Sequence, residues 1–115
     1  LFGRRDIIVC NKYPQKYENA DILVLVNCAY ADDCVTKNDY INKMLDFYIY
    51  AGKPKVFLLE VIDPEYDIPD DNFPYCIRLT ENDIRDMFPQ ASIHWYQTYR
   101  YPINKRTKKL YVIQH

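Results

Sequence analysis

A short polar stretch, Asn27-Cys28-Ala29-Tyr30, directly follows the most apolar run of the chain, at positions 20–26. In open α/β sheets, ligands bind outside the carboxyl ends of the strands. There the side-chain carbonyl of Asn27 can accept hydrogen bonds from an amine, and the ring of Tyr30 can stack on a flat substrate. The alternative is a polar strand end whose Tyr packs on the following helix. This stretch is the first candidate site for chemistry.

A carboxylate, Glu60, lies near the end of a second apolar run, Lys55–Ile62. If the strands formed by the two runs are neighbours in the sheet, Glu60 would face the same crevice as Asn27 and could contact a substrate. The alternative is a carboxylate that reaches solvent or a basic partner.

Aromatic and basic residues are interleaved towards the carboxyl end of the chain. Trp95 and Tyr96 precede Arg100, Lys105 and Arg106. Aromatic rings combined with basic side chains can stack on and neutralise single-stranded nucleic acid. The three basic residues are therefore candidate substrate-binding groups, and the predicted partner is nucleic acid. The alternative is that the aromatic residues serve packing.

Composition excludes several kinds of site. The 115 residues fit one small domain, and 49% of them are hydrophobic, which is enough for an ordinary core. The two glycines, Gly3 and Gly52, lie too far apart for a glycine-rich phosphate loop. Four cysteines without a C-x-x-C pair, and only two histidines, argue against a structural zinc site, and we predict no metal site. The acidic loop 63–71 lacks the spacing of a calcium loop.

Charge is balanced over the whole chain but unevenly distributed. The net charge of −1 gives no global signal for nucleic-acid binding. Residues 60–71 contain six acids and no base, whereas residues 90–115 contain five bases and no acid. We expect both groups to be solvated, in loops and along a sheet edge.

The sequence lacks an N-x-S/T acceptor, a signal peptide and an apolar run of about 18 residues. We therefore expect an intracellular, cytoplasmic protein with reduced thiols and no association with membranes.

Apolar periodicity and helix caps predict seven elements in the order β-β-α-β-α-β-β. Thr36 and Gly52 bound the first helix, and Thr80 and Pro89 bound the second. The predicted strands are Asp6–Cys10, Asp21–Val26, Lys55–Ile62, Ser92–Tyr101 and Lys109–Gln114. The run Asp21–Val26 has no alternation, which is typical of a parallel strand buried on both faces.

This order predicts a single α/β domain over residues 1–115. Strands that alternate with helices form parallel sheets with right-handed crossovers. The short turn between the last two strands requires an antiparallel hairpin, since a parallel crossover needs about a dozen residues. The predicted fold is a partial Rossmann-like, mostly parallel sheet that ends in an antiparallel β-hairpin.

This layout resembles the second half of class I methyltransferases, the enzymes that use S-adenosylmethionine. In many members that methylate nucleobases or amides, the fourth strand ends in Asn or Asp, two prolines and an aromatic residue. Here Asn27 and Tyr30 match the first and last positions, and Cys28-Ala29 replaces the prolines. The stretch from Ile77 to His115 resembles the family's last helix and closing hairpin. The resemblance covers nearly the whole chain and is one of layout.

The resemblance implies a methyltransferase-like domain acting on nucleic acid or another flat substrate. It implies that Asn27 and Tyr30 face the transferred methyl group and that Asn11, Cys28 and Ala29 contact S-adenosylmethionine. The family's glycine-rich loop and ribose-binding acid would lie upstream of Leu1. We therefore expect a fragment of a larger domain, whose other half comes from an upstream segment or a second chain, or a degenerate member that cannot bind the cofactor alone.

Two other functions fit the same residues. One is a non-catalytic α/β module that binds protein or RNA through its aromatic residues and basic hairpin, with a degenerate cofactor site. The other is a small nucleotide-processing enzyme of the deoxyribosyltransferase type. Strand order separates the methyltransferase from the latter, because a final strand inserted antiparallel between two parallel strands is typical of the methyltransferase layout.

Overall fold

A computed structural model describes residues 20–26, 31, 33–63, 77–100 and 107–115, together with Pro14 and Lys16. Within these residues the elements are β1 (Ile22–Leu25), α1 (Lys37–Tyr50), β2 (Val56–Ile62), α2 (Glu81–Met87), β3 (Ser92–Arg100) and β4 (Thr107–Gln114). Each corresponds to one of the predicted elements, with bounds that differ by a residue or two.

The four strands form one mixed sheet in the order β1-β2-β4-β3. β1 and β2 are parallel, with Leu23 beside Phe57 and Leu25 beside Leu59. β4 is antiparallel to β2 on one side and to β3 on the other, so β2 and β3 run in the same direction. The last strand of the chain therefore lies between two strands that precede it.

The predicted α/β class and the closing antiparallel hairpin are confirmed. The order β-α-β-α-β-β differs from the predicted one, because the predicted strand Asp6–Cys10 lies outside the described residues. The prediction of a mostly parallel, Rossmann-like sheet is not confirmed. Of the strand pairs in the described part, one is parallel and two are antiparallel, because β4 is inserted beside β2.

Local sequence signals account for both ends of α1. The Thr36 side chain accepts a hydrogen bond from the Asp39 backbone N–H, and the Asp39 carboxylate accepts one from the Thr36 N–H, which completes a capping box. At the other end Gly52 has a φ of 85°, a left-handed conformation that costs glycine little. Gly52 and Lys53 N–H groups bond to the carbonyls of Ile49 and Tyr48, the Schellman pattern that ends a helix.

The second helix begins in the same way. Thr80 and Asp83 form a second capping box. The helix ends at Met87, and Pro89 follows two residues later. The predicted start of this helix at Thr80 and its end before Pro89 are both confirmed.

Both helices pack on one face of the sheet. Phe57 of β2 contacts Tyr48 of α1 and Phe88 at the end of α2, with ring centroids 6.2 and 5.9 Å apart. The other face is less covered: Ile22 and Val24 of β1 are 56% and 51% exposed, although Leu23 and Leu25 are buried. The expectation that this strand is buried on both faces is therefore wrong. With α1 and α2 on the same face, the opposite side chains of β1 remain half exposed.

Candidate functional site

The carboxyl ends of β1 and β2 meet at one edge of the sheet. The two strands are adjacent and parallel, as the proposed juxtaposition of Glu60 and Asn27 requires. Since Leu25 pairs with Leu59, the register brings Glu60 level with Val26, the residue directly before Asn27. The sheet therefore places the backbone of Glu60 beside the last described residue before the candidate stretch.

Most of the predicted site residues lie outside the described part of the chain. This holds for the candidate catalytic residues Asn27 and Tyr30 and for the cofactor and substrate residues Asn11, Cys28, Ala29, Lys105 and Arg106. Their roles remain predictions. The structure does describe the residues on both sides of the stretch and the start of the following helix.

The chain that follows the stretch is attached to α1. Ala31 and Cys34 are buried, and the Cys34 N–H donates to the Ala31 carbonyl at 2.9 Å. The Lys43 ammonium of α1 contacts the Asp33 carboxylate at 3.3 Å. Residues 27–30 are thus bounded by a paired strand before them and a packed helix start after them.

Glu60 contacts a basic side chain of β4 and a hydroxyl group of β3. Its carboxylate lies 3.6 Å from the Lys108 ammonium of β4 and accepts a 2.7 Å hydrogen bond from the Thr98 hydroxyl of β3. The Glu60 and Lys108 side chains are both mostly buried. Because these contacts occupy the carboxylate, a substrate role for Glu60 would require it to bind through the remaining lone pairs.

A buried ion pair lies at the same edge, directly after β2. The Lys109 ammonium is 3.5 Å from the Asp63 carboxylate, and their side chains are 4% and 0% exposed. We expected the charges of both segments to be solvated, and for these two residues that is wrong. Lys109 lies on the face of β4 that also carries the buried Tyr111 and Ile113, which places it inside. The alternation of Lys109, Tyr111 and Ile113 along the last strand was the signal in the sequence that Lys109 lies on the buried face.

Trp95 links the buried pair to α2. The Lys109 ammonium lies over the Trp95 ring, 4.1 Å from its centre, a cation–π contact. The Trp95 indole N–H donates to the Glu81 carboxylate, which also accepts a 3.0 Å hydrogen bond from Arg85. The Arg85 hydrogen bond, followed by the Trp95 contact and the nearby positive charges, lowers the pKa of Glu81. Trp95 thus has a packing role, which was the alternative to nucleic-acid recognition.

The cap carboxylates are held in their charged form. The backbone N–H groups of Thr36 and Val35 lower the pKa of Asp39. Partial burial raises the pKa of Asp83, but the Thr80 N–H and the Lys37 ammonium outweigh it, and the pKa ends below its ordinary value. These shifts reflect helix capping and mark no catalytic group.

Arg100 is the last residue of β3, where it pairs with Thr107. The ladder with β4 is regular from Ser92 to Gln97 and shifts register between Gln97 and Arg100. The pairing of β3 with β4 is therefore irregular over the last residues of β3.

Among the residues that the structure describes, no group of three or more His, Cys, Asp or Glu side chains is arranged to hold a metal ion. No helix in those ranges is both long and apolar enough to cross a membrane. A nucleic-acid partner finds no support in the same residues.

Comparisons with known proteins give no relative. No protein-family model matches the chain, and neither a curated protein nor a solved structure matches it significantly.

Proposed function

We propose that the chain is a methyltransferase-like domain acting on nucleic acid or another flat substrate. The observation that carries the proposal is the place of β4, which lies between β2 and β3 and is antiparallel to both. A final strand inserted in this way is the feature that separates the methyltransferase layout from a deoxyribosyltransferase-type fold. The deoxyribosyltransferase reading is therefore the least favoured.

In this proposal the stretch after β1 positions the substrate. Asn27 would accept hydrogen bonds from the amine that is to be modified, and Tyr30 would stack on the flat ring. Transfer of a methyl group needs alignment and favourable electrostatics more than acid–base catalysis. An amide beside an aromatic ring suits that requirement. Arg100, Lys105 and Arg106 would contact the phosphates of a nucleic-acid substrate.

The residues present do not by themselves fit S-adenosylmethionine. The chain has two glycines, and Gly52 is used to end α1, with a φ of 85°. No glycine-rich turn after a strand is therefore available to hold the cofactor. In this proposal a second chain or an upstream segment supplies those contacts. When bound, the cofactor would supply the methyl group, and this chain would orient the acceptor.

Calorimetric titration tests the proposal. S-adenosylmethionine is titrated into this chain and into any longer precursor. We expect heat of binding with the longer protein and none with this chain alone. No binding by either would overturn the methyltransferase proposal.

Substitution of the candidate residue tests the site. In the complete protein, Asn27→Ala should abolish methyl transfer and leave the unfolding midpoint nearly unchanged. Asn42→Ala is the matched control, because it makes the same substitution at an exposed position of α1. Unchanged activity in Asn27→Ala would show that the site is wrongly assigned.

A non-catalytic interaction module is the second candidate. It is favoured by the lack of a glycine-rich loop and by the exposed aromatic residue Tyr96 on β3. This function predicts that folded protein of any length fails to bind S-adenosylmethionine. The calorimetric titration therefore separates the two candidates.

A further inference from the structure

The outer edge of β3 is long and uncharged. In the described part of the chain, β3 pairs with β4 alone and forms one end of the sheet, whereas β1, at the other end, has four residues. From Phe88 to Tyr99 the sequence contains no Asp, Glu, Lys or Arg. Monomeric proteins normally protect edge strands with charges, prolines, bulges or short length, because the free N–H and C=O groups can pair with another chain.

The side chains on one face of this edge are accessible. His94, Tyr96 and Thr98 are exposed on one face, and Tyr96 is 61% exposed. The register shift that could blunt the edge begins only after Gln97. Among the described residues, β4 alone pairs with the segment Ser92–Thr98, and its outer edge is regular over nearly the whole length.

We propose that β3 is a homodimerisation edge, at which two copies of the chain pair antiparallel about a twofold axis through Trp95. The axis runs perpendicular to the sheet, so each face of one copy continues into the same face of the other. Seven residues of each copy would face one another and exchange about six to eight backbone hydrogen bonds. The two four-stranded sheets would become one continuous sheet.

Three of the four kinds of facing pair in this register are complementary, and the fourth sets Ile93 beside Gln97. Ser92 faces Thr98 of the second copy, and the Ser92 hydroxyl can donate to the Thr98 oxygen, whose own hydrogen is donated to Glu60. His94 faces Tyr96, an aromatic pair, and Trp95 faces its own copy at the axis. Pairs of these kinds are the ones that stabilise antiparallel strands. A twofold interface needs such self-complementarity, whereas binding of an unrelated peptide does not. The occupant that fits this edge is therefore a second copy.

The proposal is independent of the methyltransferase proposal, since neither the candidate stretch nor the cofactor takes part. An interface of this limited size belongs to the weaker, transient class, so the dissociation constant should be on the order of 1–100 µM. Sedimentation velocity over a dilution series should show a species of twice the 13.9 kDa chain mass.

A pair of variants at the same two positions tests the register. His94→Glu with Tyr96→Glu places like charges opposite each other twice in the dimer. His94→Glu with Tyr96→Lys places opposite charges there instead. Both variants lose the aromatic pair, so their difference reports charge alone. We expect their dissociation constants to differ about tenfold or more, with the Glu–Lys variant forming the tighter dimer.

Two controls complete the experiment. Asn38→Glu with Asn42→Glu adds the same charge on the exposed surface of α1 and should leave the dimer intact. Far-UV circular dichroism of each variant checks that the fold is retained. The proposal fails if the unaltered chain stays monomeric up to about 1 mM, the weak end of the affinity scale. It also fails if the two β3 variants dimerise equally, since the dimer would then use another surface or register.

Discussion

Removing the charge of Lys109 tests whether the buried ion pair holds the end of β2 to the closing hairpin. In Lys109→Met most of the aliphatic stem is kept, but the ammonium is lost 3.5 Å from the Asp63 carboxylate, whose side chain is 0% exposed. At an effective dielectric constant of about 20, two charges at that distance attract by about 5 kcal/mol. Desolvation offsets much of this in the intact pair, but the variant removes the ammonium that lies beside the buried Asp63 carboxylate. The cation–π contact with Trp95, worth about 0.5–2 kcal/mol, is lost as well.

We expect Lys109→Met to lower the free energy of unfolding by about 3–5 kcal/mol. Adding Asp63→Asn should recover about 2 kcal/mol or more, because the buried carboxylate charge is then removed together with the ammonium. Urea unfolding should be followed by far-UV circular dichroism. Trp95 is the single tryptophan and touches Lys109, so its fluorescence would change for reasons other than stability.

Lys37→Met is the matched control. The Lys37 ammonium lies closer to its partner, 2.9 Å from the Asp83 carboxylate, but its side chain is 47% exposed. An exposed pair of this kind contributes about 0.2–1 kcal/mol. If burial determines the cost, Lys109→Met is several-fold more destabilising although its ion pair is longer. Equal losses in the two variants would refute the reasoning.

Two further predictions concern the core and the caps. Met44→Ala removes a fully buried side chain from α1 and should lower the free energy of unfolding by about 2–5 kcal/mol in urea, whereas the exposed Asn42→Ala should change it by less than about 0.5 kcal/mol. Thr80→Ala should cost about 0.5–2 kcal/mol at neutral pH by loss of the helix cap. Because the folded state holds the pKa of Asp83 below its ordinary value of 3.8, the stability this carboxylate adds is present above that pH and is lost as the pH falls through the lowered pKa. Thr80→Ala removes one hydrogen bond that lowers this pKa, so the variant should lose less stability than the unaltered chain between about pH 5 and pH 3; an equal loss in both would contradict the assignment.

Local signals in the sequence were sufficient for most of the elements. Thr36 and Thr80 predicted the helix starts and Gly52 the end of α1, because a cap depends on residues within one helical turn. The closing hairpin followed from the short turn between β3 and β4. The adjacency of β1 and β2 was also predictable, since consecutive parallel strands commonly lie side by side.

The sequence predicted where the candidate site lies along the chain, but not what its side chains contact. The strand end before Asn27 marks where an open sheet binds ligands, but sequence spacing does not report what contacts a side chain. Glu60 illustrates the difference: its strand is adjacent to β1, as the sequence suggested, whereas its partners Lys108 and Thr98 come from strands far along the chain.

The element types, their caps and the antiparallel hairpin can be derived from the sequence, because they depend on periodicity and on contacts between near neighbours. Three features emerge only from the folded arrangement: β4 lies between β2 and β3, Lys109 is buried on Asp63, and β3 is at the edge of the sheet formed by the described residues. Pairing between distant strands depends on the free energy of the whole sheet, in which each residue's environment is set by residues remote in sequence. A lysine that looks solvated in its own segment can therefore be fully enclosed once the neighbouring strands are in place.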